Sequence, residues 1–395
     1  MSIEPIRVLV VDDSALMRNL VSKIIEGAPD LAVAGTAMNG EFALQKIPRV
    51  KPDVLVLDLE MPKMNGIEFL RARREGKIDV PVIILSSIAR EGAEVTMEAL
   101  ALGASDFILK PSGSVSHDIH VVGDQLVTML RAYGGQYRRR HGKSLPEAPE
   151  DYALRDPEMA EGSATAGAQA PEAGRSKSPL GGQFASPRAA GQAPAAGQPG
   201  PAGPLEIIAL GISTGGPNAL RKVLAGIDGN LAVPILIVQH MPPGFTTEFA
   251  ASLNRITSLE VREAADGDLV KPGRIFIAPG NYHMEIEKRS LAAVIRLHQD
   301  DPCNGHRPSA GVLFRSVAKS YGNRAMGVIM TGMGRDGAFE IGEIYRAGGM
   351  TVGQDEASSV VYGMPRVAWE NGFVRRQVSL QEMAETINTL VKELV

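Results

Sequence analysis

The sequence predicts an α/β protein made of two doubly wound units, each built on a parallel sheet. Three observations carry that expectation. Short apolar runs rich in Val and Ile alternate with segments whose apolar residues recur at helical spacing. Several of these runs stop at polar residues, at the sheet edge where open parallel sheets bind ligands. From His141 to Pro204 there is no Ile or Val, so the chain falls into two parts around a segment unable to build a core.

A length of 395 residues accommodates two domains and connecting chain. The 44% hydrophobic and 22% charged content is ordinary for globular protein, and a net charge of −4 makes no case for nucleic acid or a membrane surface. The single Cys303 excludes an internal disulfide framework and a clustered cysteine metal site, and fits a reducing cytoplasm. Glu4 and a six-residue apolar run are not the pattern of a signal peptide, and no run is long enough to span a bilayer.

Ile6 to Val11 forms the first predicted strand and ends in Asp12-Asp13-Ser14. Leu16, Leu20, Ile24 and Ile25 mark the following helix, Leu31 to Ala34 a second strand, and Phe42, Leu44 and Ile47 a second helix. Val54 to Leu57 runs into Asp58, Val82 to Leu85 into Ser86-Ser87, and Phe107 to Leu109 into Lys110-Pro111. Any one acid at a loop start reads as a helix cap. Together, Asp12, Asp13 and Asp58 repel one another unless a hard cation such as Mg²⁺ binds, and Lys110 beside them suits a phosphoryl group.

With Asn65-Gly66 and Gly103-Ala104 added, these residues resemble a response-regulator receiver domain over residues 1–132. The resemblance implies a flavodoxin-like fold in which Asp58 accepts a phosphoryl group from a histidine kinase. It implies Mg²⁺ held by Asp12, Asp13 and Asp58, with Ser86 and Lys110 sensing the phosphate. The family's switch aromatic falls on Phe107. Residues 133–204 are expected to be a flexible linker rich in Pro, Ala and Gly, with Tyr137 to His141 a solvated basic helix end.

In residues 205–395, the run Ile207 to Leu210 leads into Gly211-Ile212-Ser213-Thr214-Gly215-Gly216-Pro217, and Pro217 opens a helix. The G-x-S-x-G spacing lifts a serine hydroxyl onto a strand-to-helix elbow, although a phosphate-cradling loop or a plain cap would use the same glycines. Pro234 to Val238 is followed by His240, Ala325 to Met330 by Asp336, and Met350 to Val352 by Asp355. A base and an acid therefore stand at the serine's edge, and spacing leaves Asp336 and Asp355 both open for the acid. The chain order Ser, His, Asp differs from that of α/β-hydrolases. His283 and His298 flank a hairpin and are expected at the surface; His306 either meets substrate or caps a helix.

Adding Gln239-His240-Met241-Pro242-Pro243-Gly244-Phe245, Ala278-Pro279-Gly280, Arg307-Pro308-Ser309, Thr331 to Gly337 and Gly363-Met364-Pro365, this part is similar to the chemotaxis protein-glutamate methylesterases. The resemblance implies a serine hydrolase with Ser213, His240 and Asp336 as catalytic residues, and with Thr214 and Met333 facing the oxyanion or substrate. It implies glutamate methyl esters of methyl-accepting chemoreceptors as substrate, deamidation of receptor glutamine, activation by phosphorylation, no cofactor for the ester chemistry, and a cytoplasmic location. Neither nucleic-acid binding nor membrane insertion is expected. A phosphorelay adaptor without catalysis is a rival that methanol release would exclude. A nucleotide-binding dehydrogenase is weakened because no acid follows the second strand at the required spacing.

Overall fold

The structure is a computed structural model that describes residues 4–87, 90–110, 118–146, 200–290 and 292–395. The stretch of the expected tether from residue 147 to 199 lies outside the described residues.

The first unit runs β1 (Ile6–Val11), α1 (Ala15–Glu26), β2 (Leu31–Ala37), α2 (Gly40–Val50), β3 (Val54–Asp58), α3 (Gly66–Glu75), β4 (Val82–Ser86), α4 (Arg90–Ala101), β5 (Asp106–Leu109) and α5 (Asp118–Arg140). Its five strands are parallel in the order β2-β1-β3-β4-β5, the flavodoxin-like topology expected. The order reverses between β1 and β3, so a crevice opens at their carboxyl ends, where Asp12, Asp13 and Asp58 stand. Ser14 caps α1, and Asn65 with Glu68 forms a capping box on α3.

Leu16 is 69% exposed and Phe42 is 38% exposed, while Val21 and Ile25 supply the buried face of α1. Helix α5 runs past residue 132 to Arg140. Gly134 lets this helix lie on β1, since a Cβ there would stand 2.5 Å from Ile6 Cγ2. Tyr133 and Tyr137 are buried, and Arg138 donates to the Asp53 carboxylate at 3.0 Å and to the carbonyls of Pro5 and Ser144. Of the basic cluster, Arg139 and Arg140 are solvated and Arg138 is not.

The second unit runs β6 (Ile207–Ile212), α6 (Gly216–Ala225), β7 (Ile235–Gln239), α7 (Phe245–Asn254), β8 (Glu260–Glu263), β9 (Arg274–Ile277), β10 (His283–Lys288), β11 (Ala293–His298), α8 (Ala310–Tyr321), β12 (Ala325–Ile329), α9 (Ile341–Arg346), β13 (Met350–Gln354), α10 (Met364–Glu370), β14 (Arg376–Val378) and α11 (Met383–Leu394). Seven strands form one parallel sheet in the order β14-β13-β12-β6-β7-β9-β8. β6 is central, and the strands on its two sides are β12 and β7. β10 and β11 pair separately as an antiparallel hairpin with His283 opposite His298. His283 is buried, against the surface expectation, because β10 lies on α8, where Ile286 N–H donates to Ser316 Oγ.

The first unit docks on the carboxyl edge of the second sheet. Helix α4 packs on α7, and Phe107 stacks on Phe245 with ring centroids 5.1 Å apart. Asn218 Nδ2 donates to the carbonyls of Ala104 and Ser105, and Gln136 Nε2 donates to that of Ser359. Gly215 N–H donates to Asp106 Oδ2 at 2.8 Å.

Candidate active site

Ser213 stands where β6 breaks into α6. Gly215, two residues on, has φ +81°, a value that Cβ-bearing residues avoid, and this turns the chain sharply enough to raise the serine. The loop after β12 then passes against the serine. A Cβ on Gly332 would lie 2.8 Å from Ser213 Cβ and 2.3 Å from Met364 Sδ, so only glycine permits that approach. Ser213 N–H donates back to Thr331 O, and Thr331 Oγ1 donates to Thr214 O, which ties the loop to the elbow.

Strand β7 ends at Gln239, and His240 follows with its ring between two partners. Its Nδ1 lies 3.0 Å from Ser213 Oγ, and its Nε2 lies 2.8 Å from Asp336 Oδ2. A carboxylate only accepts, so Nε2 carries the proton and Nδ1 faces the hydroxyl as an acceptor. Gln239 Nε2 fastens this corner by donating to the carbonyls of Ser213 and His240.

Asp336 is buried and surrounded by donors. Asn304 Nδ2 and Ser309 Oγ donate to Oδ1 at 3.1 and 2.6 Å, and Ala310 N–H donates to Oδ2 at 2.6 Å. Burial works to raise its pKa, but hydrogen bonds from His240 and Ser309 overcome it and hold the carboxyl well below the usual range. Asp355, the alternative acid, spends its carboxylate on the Ser358 N–H at 3.0 Å and on the Ser358 hydroxyl. It lies after β13, which is not a neighbour of β6.

The elbow's N–H groups divide unequally. Ser213 donates to Thr331 O, Gly215 to Asp106 and Gly216 to Ser213 O. The N–H groups of Thr214 and Met333 carry no hydrogen bond among the described residues. His306 does not cap α8; Ser309 does, by accepting from Gly311 and Val312 N–H. His306 instead stacks on His240, with centroids 3.8 Å apart and planes 12° apart. Burial and the neighbouring His240 push its pKa down to about 3. Ser309 was legible within the Arg307-Pro308-Ser309 motif as a capping type. No local signal marks Asn304 or Asp106, which reach the site from remote parts of the chain.

In the first unit, the carboxylates of Asp12, Asp13 and Asp58 bring oxygens within 4.8 Å of one another. Burial first, then the charge of Asp58, raises Asp12; burial also raises Asp58, against the pull of Lys110. Lys110 Nζ lies 2.7 Å from Asp58 and 3.4 Å from Asp12. Asp12 Oδ2 is buried without a hydrogen-bond donor. Three hard oxygen donors, one of them unsatisfied, fit Mg²⁺. Ser86 is buried with its Oγ 2.6 Å from Thr96 Oγ1 on α4.

A phosphoacceptor-type crevice on one unit and a serine–imidazole–carboxylate line on the other define a response regulator with an enzymatic output domain. The response regulator receiver domain family model matches residues 8–117, and the CheB methylesterase family model matches residues 208–387. A protein-glutamate methylesterase/protein-glutamine glutaminase of Treponema denticola is 55% identical over 393 residues, 99% of each chain. Another of Treponema pallidum is 50% identical and covers 97% of this chain and 96% of that one. The crystal structure of the Thermotoga maritima CheB methylesterase catalytic domain is 35% identical, with a TM-score of 0.47 over 47% of this chain and 99% of that one. The chain belongs to the protein-glutamate methylesterase/protein-glutamine glutaminase family. Among the described residues, no helix is long and apolar enough to cross a membrane.

Proposed function

We propose that the chain hydrolyses glutamate methyl esters on chemoreceptors, releasing methanol, and deamidates receptor glutamine, with phosphorylation of Asp58 as the switch. The observation that carries this reading is the hydrogen-bonded line from Ser213 through His240 to Asp336 at one sheet edge.

His240 Nδ1 takes the Ser213 proton as Oγ attacks the γ-carbonyl carbon of the ester. Asp336 accepts from Nε2 throughout and stabilises the imidazolium. The Thr214 and Met333 N–H groups, left without partners, supply donors to the oxyanion. The imidazolium returns its proton to the leaving methoxide, and methanol departs from the acyl-enzyme. His240 then deprotonates a water that attacks the acyl carbon, which restores Ser213 and frees glutamate. With glutamine the leaving group is ammonia.

Regulation follows from the position of the receiver over the serine's edge. A histidine kinase supplies the phosphoryl group, and Mg²⁺ held by Asp12, Asp13 and Asp58 would neutralise charge on it. The added charge beside Lys110 draws Ser86 away from Thr96, and Thr96 belongs to the helix that packs on α7. Loss of that packing uncovers Ser213.

The test is methanol release from methylated receptor, with and without a small-molecule phosphodonor. Ser213→Ala should abolish release. Wild-type turnover by that variant would overturn the serine mechanism.

A further inference from the structure

We propose that His306 is a positioning residue for His240: its ring face holds the imidazole in line between Ser213 and Asp336 and steadies the imidazolium formed during turnover. The inference rests on the serine-hydrolase reading and deepens it.

Two in-plane partners, Ser213 at Nδ1 and Asp336 at Nε2, hold opposite edges of the His240 ring. They leave a rocking motion about the line joining them, and rocking weakens both hydrogen bonds because bond strength falls with misalignment. A flat ring lying 3.8 Å away and 12° from parallel blocks that motion on one face. The contact uses the ring face of His306, not a nitrogen.

The segment carrying His306 is itself fixed to the acid. Cys303 and His306 exchange backbone hydrogen bonds at 3.1 and 3.0 Å, closing a tight turn. Asn304 inside that turn and Ser309 just after it both donate to Asp336. The Arg307 guanidinium grips Asn281 Oδ1 and the carbonyls of Gln299 and Asp300. One short stretch therefore sets the acid's donors and the base's stacking partner in a single frame, so that an imidazolium at His240 meets both an aligned carboxylate and a π face.

Charge decides which kind of ring can do this. Burial and His240 hold His306 neutral, its pKa near 3. A second cation at that separation would repel the imidazolium, whereas a neutral π face attracts it. Phenylalanine preserves the face and should therefore substitute for His306; alanine should not.

The full chain carrying His306→Ala or His306→Phe, treated with the same phosphodonor, is assayed for methanol release beside wild type and Ser213→Ala. His306→Ala is expected to lower kcat about tenfold or more with KM within about twofold, as a misaligned base would. His306→Phe is expected to return kcat to within about threefold of wild type. An alanine variant with unchanged kcat overturns the proposal. So does a phenylalanine variant as slow as alanine, or a loss confined to KM, which would make His306 a substrate contact. A second measurement is independent of turnover: the downfield proton resonance of His240 Nε2–H. It should persist in wild type and His306→Phe and broaden in a folded His306→Ala. Its persistence in the alanine variant also overturns the proposal, whereas an active Ser213→Ala with the expected resonances would count against the serine mechanism alone.

Discussion

At the residue scale, the site separates groups that react from groups that hold. Ser213 is half-buried and, among the described residues, its hydroxyl bonds only His240, so Ser213→Ala should remove esterase activity while leaving the thermal transition nearly unchanged. Asp336 differs because five donors converge on it. Asp336→Asn should lower turnover less than Ser213→Ala, yet cost about 2 kcal/mol of stability, since an amide cannot satisfy donors arranged for a carboxylate. The sign of the pH effect follows from its depressed pKa. Asp336 contributes stability that is present above the unfolded value, near pH 4, and is lost as pH falls through the lower folded value. The gap in unfolding midpoint between wild type and Asp336→Asn should therefore narrow below about pH 4. A gap independent of pH would deny the carboxylate that role.

At the element scale, α5 completes the receiver and β5 carries part of its contact with the second unit. The end of α5 is secured by Arg138 on the buried Asp53, which Lys143 also reaches at 2.8 Å. Arg138→Ala should destabilise the receiver by about 3 kcal/mol, the lower end for breaking a buried pair because Lys143 remains. Chemical denaturation checks it. β5 begins with Asp106, whose carboxylate accepts from Gly215 and Phe107 N–H and from the Tyr133 hydroxyl. Burial raises it to about 6, against the hydrogen bonds from Gly215, Phe107 and Tyr133.

At the scale of the whole molecule, two catalytic-edge events are joined by one interface. The stack of Phe107 on Phe245 sits in it, and losing such a pair is worth about 1 kcal/mol beyond area. Phe107→Ala in the full chain should therefore raise unphosphorylated turnover about fivefold, the change in closed-to-open ratio that this energy allows. Asp58→Asn should respond to no phosphodonor. An unchanged or slower Phe107→Ala enzyme would mean that the receiver assists catalysis or recruits substrate and does not cover the site. Chelating Mg²⁺ should stop phosphorylation while leaving the basal methanol release of the unphosphorylated chain intact, because in the proposed mechanism His240 activates Ser213.

Strand runs, the elbow at Ser213 and the acids at strand ends were legible in the sequence because β-branching, apolar period and glycine placement act on neighbouring residues. The motifs also carried the resemblance, and with it the roles expected of His240, Asp58 and Lys110. Which apolar positions of a helix are buried was less legible: Leu16 fits the helical period yet is exposed, and nothing local marks Gly134 as the residue that lets α5 approach β1. Spacing left Asp336 and Asp355 equal, since both follow strands. Strand order separates them, with β12 beside β6 and β13 one place further out. Asn304 and His306, from one turn, and Asp106, from the other unit, converge on the same edge. Local sequence sets the conformation of each segment, but which segments meet depends on burying all their apolar faces at once, and only the assembled chain satisfies that condition.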